Sequence, residues 1–81
     1  MPQDEVLKRL QKVFDEVFLN DVIVTPKLTA REVEEWDSLL HVSLILAVEE
    51  EFQVRFRVGE VEATKDVGDL ANVISKRLEK R

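Results

Sequence analysis

Trp36-Asp37-Ser38-Leu39-Leu40-His41-Val42-Ser43-Leu44-Ile45-Leu46-Ala47-Val48-Glu49-Glu50-Glu51-Phe52 is the stretch on which the reading of this chain turns. Asp37 can accept a hydrogen bond from an early backbone N–H, so a helix is predicted over residues 38–52. Leu39, Val42, Ile45, Leu46 and Val48 are spaced for burial, and Leu40 and Leu44 widen the apolar stripe almost all the way round. A helix that apolar either buries two faces or offers one to a partner. It ends on Glu49-Glu50-Glu51, where the macrodipole favours bases, at a cost of roughly a few tenths of a kcal/mol per acid. Fold stability does not explain that placement; recognition could.

Working outward, Val6, Leu10, Val13 and Val17 share a stripe with Leu7, Phe14 and Phe18 beside it, which predicts an amphipathic helix over Asp4 to Leu19 with Asp4 as N-cap. A long connection follows. Val22, Ile23, Val24 and Thr25 are β-branched, and Pro26 blocks a helix. A short strand there would find nothing to pair with. Thr29-Ala30-Arg31-Glu32 fits a capping box, so one helical turn through Glu35 is expected. Leu28, Val33 and Trp36 are expected to pin this loop to the core.

After Phe52 the chain is irregular. Val54, Phe56 and Val58 alternate, Gly59 breaks the pattern, and Glu60 to Ala63 suggests a short helix. Asp66-Val67-Gly68-Asp69 opens a last helix, with Asp66 as cap and Val67, Leu70, Ala71, Ile74 and Leu78 as the buried stripe. Lys76, Arg77, Lys80 and Arg81 suit its C-terminal end. The expected fold is therefore all-α: three long helices, one short helix and a long first loop, in a single domain over residues 1–81.

Composition narrows the function. Eighty-one residues bury only about 60–65% of the unfolded surface, leaving no room for an enclosed active-site cleft beside the core. At 44% hydrophobic and 36% charged, the chain should fold rather than stay disordered. With no cysteine there is no disulfide, and any thiol must be imported. The longest apolar run, Leu44 to Val48, is far short of the roughly 20 residues that span a bilayer. The start, Met-Pro-Gln-Asp-Glu, does not read as a secretory signal. A soluble cytoplasmic protein without membrane insertion is expected. Residues 32–51 hold seven acids and no base. That field repels nucleic acid and attracts basic protein surfaces.

Ser38 stands where the acidic loop meets the apolar helix. As a catalytic nucleophile it would need a general base and an oxyanion hole. The one histidine, His41, is a turn away on the same helix, and no G-x-S-x-G elbow surrounds the serine. No catalytic residue and no metal ligand is assigned, and His41 is expected to be an exposed surface histidine. As an attachment point Ser38 is well placed, because the first turn of a helix suits a phosphodiester.

Ser38 is followed at helical spacing by Leu39, Val42, Leu44, Ala47, Glu49 and Phe52, and later by Val67, Asp69 and Leu70. This set, spread over the whole chain, resembles the acyl carrier protein family. The resemblance implies a non-enzymatic carrier. Ser38 would receive 4′-phosphopantetheine from coenzyme A through a magnesium-dependent phosphopantetheinyl transferase, and the arm's thiol would hold acyl groups as thioesters. Asp37 matches the family's acid beside that serine. Leu39, Leu40, Ser43, Leu46, Glu49 and Glu50 match the surface that meets acyl-loading and acyl-modifying enzymes through their basic docking sites. A monomer is expected.

Three places depart from the family's common pattern. Glu35-Trp36 stands where glycine is frequent two residues before the aspartate, Leu40 replaces an acidic or polar residue, and Phe56-Arg57 replaces isoleucine and proline. Carrier function survives these changes, but they point to a specialised lipid, polyketide or related pathway rather than housekeeping fatty acid synthesis. Phe56 and Val61 are expected to narrow the space that shelters an acyl chain. The alternative, from a different class, is a cofactor-free acidic helical interaction module using the same leucines.

Overall fold

A computed structural model describes residues 2–57 and 59–79. It contains α1 (Gln3–Val17), a 3₁₀ turn (Ala30–Glu32), α2 (Ser38–Phe52) and α3 (Val67–Glu79), with no strand among the described residues. The all-α class stands. The short helix expected over Glu60 to Ala63 is instead a pair of turns, in which Glu60 N–H donates to Arg57 O at 3.1 Å and Thr64 N–H to Val61 O at 3.0 Å. Val58, Lys80 and Arg81, assigned above to an alternating run and a helix end, lie outside the described residues.

α1 packs on both α2 and α3. Val6, Leu10, Val13 and Phe14 face inward, against Leu44, Val48 and Phe52 of α2 and Val67, Leu70, Ala71 and Ile74 of α3 in one core. Each of these side chains except that of Ala71 contributes about 1.5–3 kcal/mol on burial. Asp4 is not the N-cap of α1. Pro2 holds that position, its carbonyl accepting from the N–H groups of Glu5 and Val6 at 3.1 Å. The fixed proline φ already suits the approach to a helix, so Asp4 moves into the first turn, where its charge favours the dipole.

α2 has the predicted boundaries. Asp37 Oδ1 accepts from Leu40 N–H at 2.8 Å. Gln53 closes the helix with φ 57°, and Val54 N–H donates to Glu49 O at 3.1 Å. That closing pair is a Schellman motif, with buried Val54 as its apolar contact. The buried stripe differs from the expected one. Leu44, Val48 and Phe52 are fully inside, whereas Leu39, Val42 and Leu46 stay 79%, 57% and 60% exposed. Both stripes have helical spacing, and only the partner helices decide which one is covered.

The long first loop is anchored at three points. Gln11 on α1 donates from Nε2 to Val22 O at 2.7 Å and accepts Val24 N–H on Oε1 at 2.8 Å. Its carboxamide supplies the pairing that the β-branched run lacks elsewhere. Further along, the carbonyls of Pro26 and Leu28 accept from Gly68 N–H at 2.8 Å and Val67 N–H at 2.9 Å, the unpaired first-turn donors of α3. The remaining first-turn donors of α3 go to its predicted cap, Asp69 N–H to Asp66 Oδ1 at 2.9 Å and Leu70 N–H to Asp66 O at 3.2 Å, while Asp69 Oδ2 reaches back to accept Lys65 N–H at 3.0 Å. Gly68 is needed for the close approach, since a Cβ there would lie 2.9 Å from Pro26 O. Finally, Glu35 takes the N–H groups of Leu19 at 2.8 Å and Asn20 at 3.1 Å, which explains why α1 stops at Val17 rather than Leu19.

The capping box at Thr29 is present on its glutamate side, Glu32 Oε2 accepting Thr29 N–H at 3.1 Å. The turn it starts ends at Glu32 as a 3₁₀ segment, and a separate turn at Glu34-Glu35 carries the chain onward. Leu28 is buried and Val33 and Trp36 pack on the core, as expected.

Candidate functional site

The loop delivers Ser38 to the first position of α2 with its side chain exposed. Asp37 spends its carboxylate on Leu40 N–H, and the first bond inside the helix is His41 N–H to Asp37 O at 2.9 Å. The N–H groups of Ser38 and Leu39 therefore have no partner among the described residues and remain available to an anion on the serine oxygen. An exposed hydroxyl, two open backbone donors and the positive end of a fifteen-residue helix fit a phosphodiester.

Trp36 and Glu35, the departures from the family pattern, brace this corner. The Trp36 ring meets Phe14 edge-on at 5.4 Å and Phe18 edge-on at 5.6 Å, while Phe14 and Phe18 stack at 5.1 Å. Such aromatic pairs add about 0.5–1.5 kcal/mol beyond burial. The indole Nε1–H donates to His41 Nδ1 at 3.1 Å, and the two rings stack 6.1 Å apart. His41 is thus a half-buried, partnered residue rather than the exposed histidine expected.

The six surface candidates separate. Leu39, Ser43, Leu46 and Glu50 are exposed, with Leu46 and Glu50 also lining a shallow depression near Arg55. Leu40 turns partly inward against the core. Glu49 is half-buried, and its Oε2 accepts Phe56 N–H at 2.9 Å, holding the segment after α2 in place. Val42, absent from the six, is exposed between Leu39 and Leu46 and completes an apolar stripe. Its spacing of three from Leu39 and four from Leu46 carried that signal.

The acids that close α2 also divide. Glu51 accepts from Arg9 Nε at 3.0 Å and lies 3.5 Å from Lys12 Nζ. Arg9 Nη2 donates to Glu51 O at 2.6 Å, and the guanidinium lies 4.7 Å above the Phe52 ring. The hydrogen bond from Arg9, with the Lys12 charge, holds the Glu51 carboxyl below its ordinary range despite some desolvation. Fold stability does account for Glu51 and Glu49; Glu50 alone is left to recognition.

Below Ser38, α2 and the residues Phe56, Arg57, Val61 and Glu62 line a groove of about 240 Å³ whose walls also include His41, Val42 and Ile45. On the far side of that segment, Glu60 Oε1 accepts from Arg77 Nη2 at 2.7 Å and from Arg57 N–H at 3.0 Å, which holds its carboxyl below the ordinary range and ties the segment to α3. Among the described residues no cluster of three or more metal-ligating side chains exists, and no helix is long and apolar enough to cross a membrane.

No family model matches the sequence. Comparison with individual proteins gives a consistent result. The acyl carrier protein of Thermosynechococcus vestitus is 33% identical over 79 residues, an overlap of 96% of this chain and 98% of that one. The solution NMR structure of holo acyl carrier protein from Geobacter metallireducens superposes with a TM-score of 0.77 at 33% identity, covering 99% of this chain and 90% of that one. Near-complete overlap in sequence and in fold, with the exposed serine at the head of α2 and the loop packed around it, leads to one conclusion: the chain belongs to the acyl carrier protein family, whose members carry acyl groups rather than catalyse their reactions.

Proposed function

We propose that residues 1–81 work as one monomeric cytoplasmic carrier domain with 4′-phosphopantetheine esterified to Ser38 Oγ. The observation that carries this reading is the exposed Ser38 hydroxyl at the first residue of α2, beside open N–H groups. When attached, the arm supplies the thiol that this cysteine-free chain lacks. Asp37 keeps the helix end formed and so keeps Ser38 presented. Basic enzymes, the phosphopantetheinyl transferase first among them, are steered by the acidic loop and helix and settle on Leu39, Val42 and Leu46, with Ser43 and Glu50 beside them. Leu40 and Glu49 contribute through the packing and the loop contact that hold this face in shape.

The pathway is a dedicated one in lipid, polyketide or related biosynthesis. Support comes from Glu35-Trp36, which replaces a frequent glycine with a braced aromatic corner beside the attachment serine. The groove below Ser38, about 240 Å³, lies under the ~300–1,000 Å³ of sites that enclose a ligand. A long acyl chain would then extend beyond it, and a short one would be sheltered. Hydrolytic protection of a long-chain thioester equal to that of a short one would contradict this.

The test of the carrier reading is direct. Purified protein is incubated with coenzyme A, magnesium and a broad-specificity phosphopantetheinyl transferase, then weighed. The mass should rise by one phosphopantetheine, and Ser38→Ala should abolish the rise. An unchanged mass in folded protein would leave the cofactor-free interaction module.

A further inference from the structure

His41 has an unusual environment for a residue one turn below an attachment serine. On a helix, positions three apart lie about 5–6 Å from each other at Cβ, so Ser38 and His41 are neighbours on one face. The face continues through Val42, Ile45 and Glu49 into the groove that His41 also lines. One ring nitrogen is already assigned. The indole of Trp36 is only a donor, so His41 Nδ1, 3.1 Å from it, must be the acceptor. A ring that accepts at Nδ1 is neutral and carries its proton on Nε2. Nε2–H has no protein partner among the described residues, and since no buried side-chain nitrogen there lacks one, it is open to solvent on a half-buried ring. The groove walls beside it are apolar at Val42, Ile45, Phe56 and Val61, with Glu49, Arg57 and Glu62 as the charged members. Of the polar groups on this groove, His41 lies nearest Ser38 in sequence and is held in orientation by Trp36; a few placed polar groups on a largely apolar wall are how a small site fixes the orientation of what enters it.

We propose that His41 is a positioning residue: with its tautomer set by Trp36, it offers Nε2–H to a carbonyl oxygen of the Ser38-tethered arm or of the acyl group the arm holds. The inference rests on Ser38 being the attachment site. It makes Trp36 an orienting residue acting through His41. It also gives the Trp36 departure from the family pattern a role at the groove as well as in the core. The class of cargo it favours is a short acyl group with an oxygen near the thioester, since an alkyl chain alone offers Nε2–H nothing beyond the thioester carbonyl.

The experiment is ¹⁵N NMR of the His41 ring in the full chain, recorded well above the ordinary histidine titration range. Samples are the apo protein, the holo protein, and holo protein loaded with butyryl or 3-oxobutyryl groups. The apo ring should be protonated on Nε2. Loading should then shift Nε2 while Nδ1 stays in place. A shift on going from apo to holo assigns the acceptor to an amide carbonyl of the arm. One appearing with butyryl assigns it to the thioester, and one confined to 3-oxobutyryl assigns it to the cargo. Trp36→Phe keeps an aromatic ring on Phe14 and Phe18 but has no donor, so its His41 should mix tautomers and respond more weakly. His41→Gln, which retains a side-chain donor, should preserve thioester lifetime better than His41→Phe. If the wild-type ring nitrogens are unmoved in every loaded state, the proposal is overturned while the carrier reading survives. If the protein gains no mass with the transferase, both fall together.

Discussion

Gln11 on α1 and Val24 in the first loop are thirteen residues apart, yet the side-chain Oε1 of the first accepts the backbone N–H of the second at 2.8 Å. With the companion bond from Gln11 Nε2 to Val22 O at 2.7 Å, one carboxamide replaces a missing strand neighbour. Removing it leaves two part-buried backbone groups without partners, at a cost of about 1–3 kcal/mol. Gln11→Ala should lower the urea midpoint accordingly. Gln11→Glu should also destabilise, because it keeps the acceptor for Val24 but sets a carboxylate against Val22 O and beside Asp15. A midpoint unchanged in both variants would show that the loop is held without this clamp.

Gly68 offers a second test of how the loop is seated. Alanine is favoured over glycine inside a helix by about 1 kcal/mol. Here, however, its Cβ would fall 2.9 Å from Pro26 O and 3.3 Å from Asp66 Oδ1, a backbone carbonyl and the α3 cap. Overpacking of this kind costs about 1–3 kcal/mol and should outweigh the propensity gain. Gly68→Ala is expected to destabilise, with faster amide exchange at Val67 and residue 68 as the loop carbonyls withdraw. A stabilised Gly68→Ala would mean that the loop gives way easily.

Gln53 works in the opposite direction. It holds a left-handed conformation, φ 57°, at the end of α2, where glycine carries no Cβ penalty. The penalty for other residues is about 1–2 kcal/mol, part of which glycine loses again to unfolded-state entropy. Gln53→Gly is therefore expected to raise stability by about 0.5–1 kcal/mol in thermal or urea unfolding. A loss of stability would show that the glutamine side chain makes a compensating contact.

These residues also mark what the sequence disclosed. The start of α2 was legible because its determinants are local: an aspartate cap and an apolar run that begins right after it. The cap of α3 was legible for the same reason. Gln11 was not, since nothing near it in sequence reveals that Val22 and Val24 will lie alongside. Glu51 looked misplaced at a helix C-terminus because its partner, Arg9, is 42 residues away. Which stripe of α2 is buried could not be read either. Leu39, Val42 and Leu46 are as apolar and as regularly spaced as Leu44, Val48 and Phe52, and only α1 and α3 distinguish them. The family resemblance did lead to the exposed serine, but the Trp36–His41 contact beside it was not legible, because it depends on how the first loop folds back over α2.

Acidification should expose the two ion-paired carboxylates. Glu51, held low chiefly by the hydrogen bond from Arg9, and Glu60, held low chiefly by that from Arg77, both have folded values below the ordinary 4.5. A lowered folded value means stability that is complete above the ordinary value and is lost as the pH falls through the folded one. The urea midpoint should therefore decline below about pH 4.5. Glu51→Gln and Glu60→Gln should each flatten that decline, and at neutral pH the first should lose about 0.5–1 kcal/mol. A variant that retains the full acid slope would show that its carboxylate is not coupled to folding.

The exposed stripe of α2 should behave as a docking surface and not as part of the core. Leu46 is 60% exposed and Glu50 lies beside it at the surface, so neither supports the packing of α1 on α2. Leu46→Ala and Glu50→Lys should change stability by about 0.5 kcal/mol or less. Their effect should appear in modification of Ser38 by a phosphopantetheinyl transferase. Glu50→Lys reverses a charge proposed to steer a basic partner, so it should reduce kcat/KM most at low salt and less as ionic strength rises. Leu46→Ala removes apolar contact area, so its loss of kcat/KM should persist at high salt. The two substitutions thus separate steering from seating on one face. If both variants were modified as fast as wild type at every ionic strength, the transferase would have to approach Ser38 from the loop side, over Glu34 and Glu35, and the leucine stripe would be free for other enzymes.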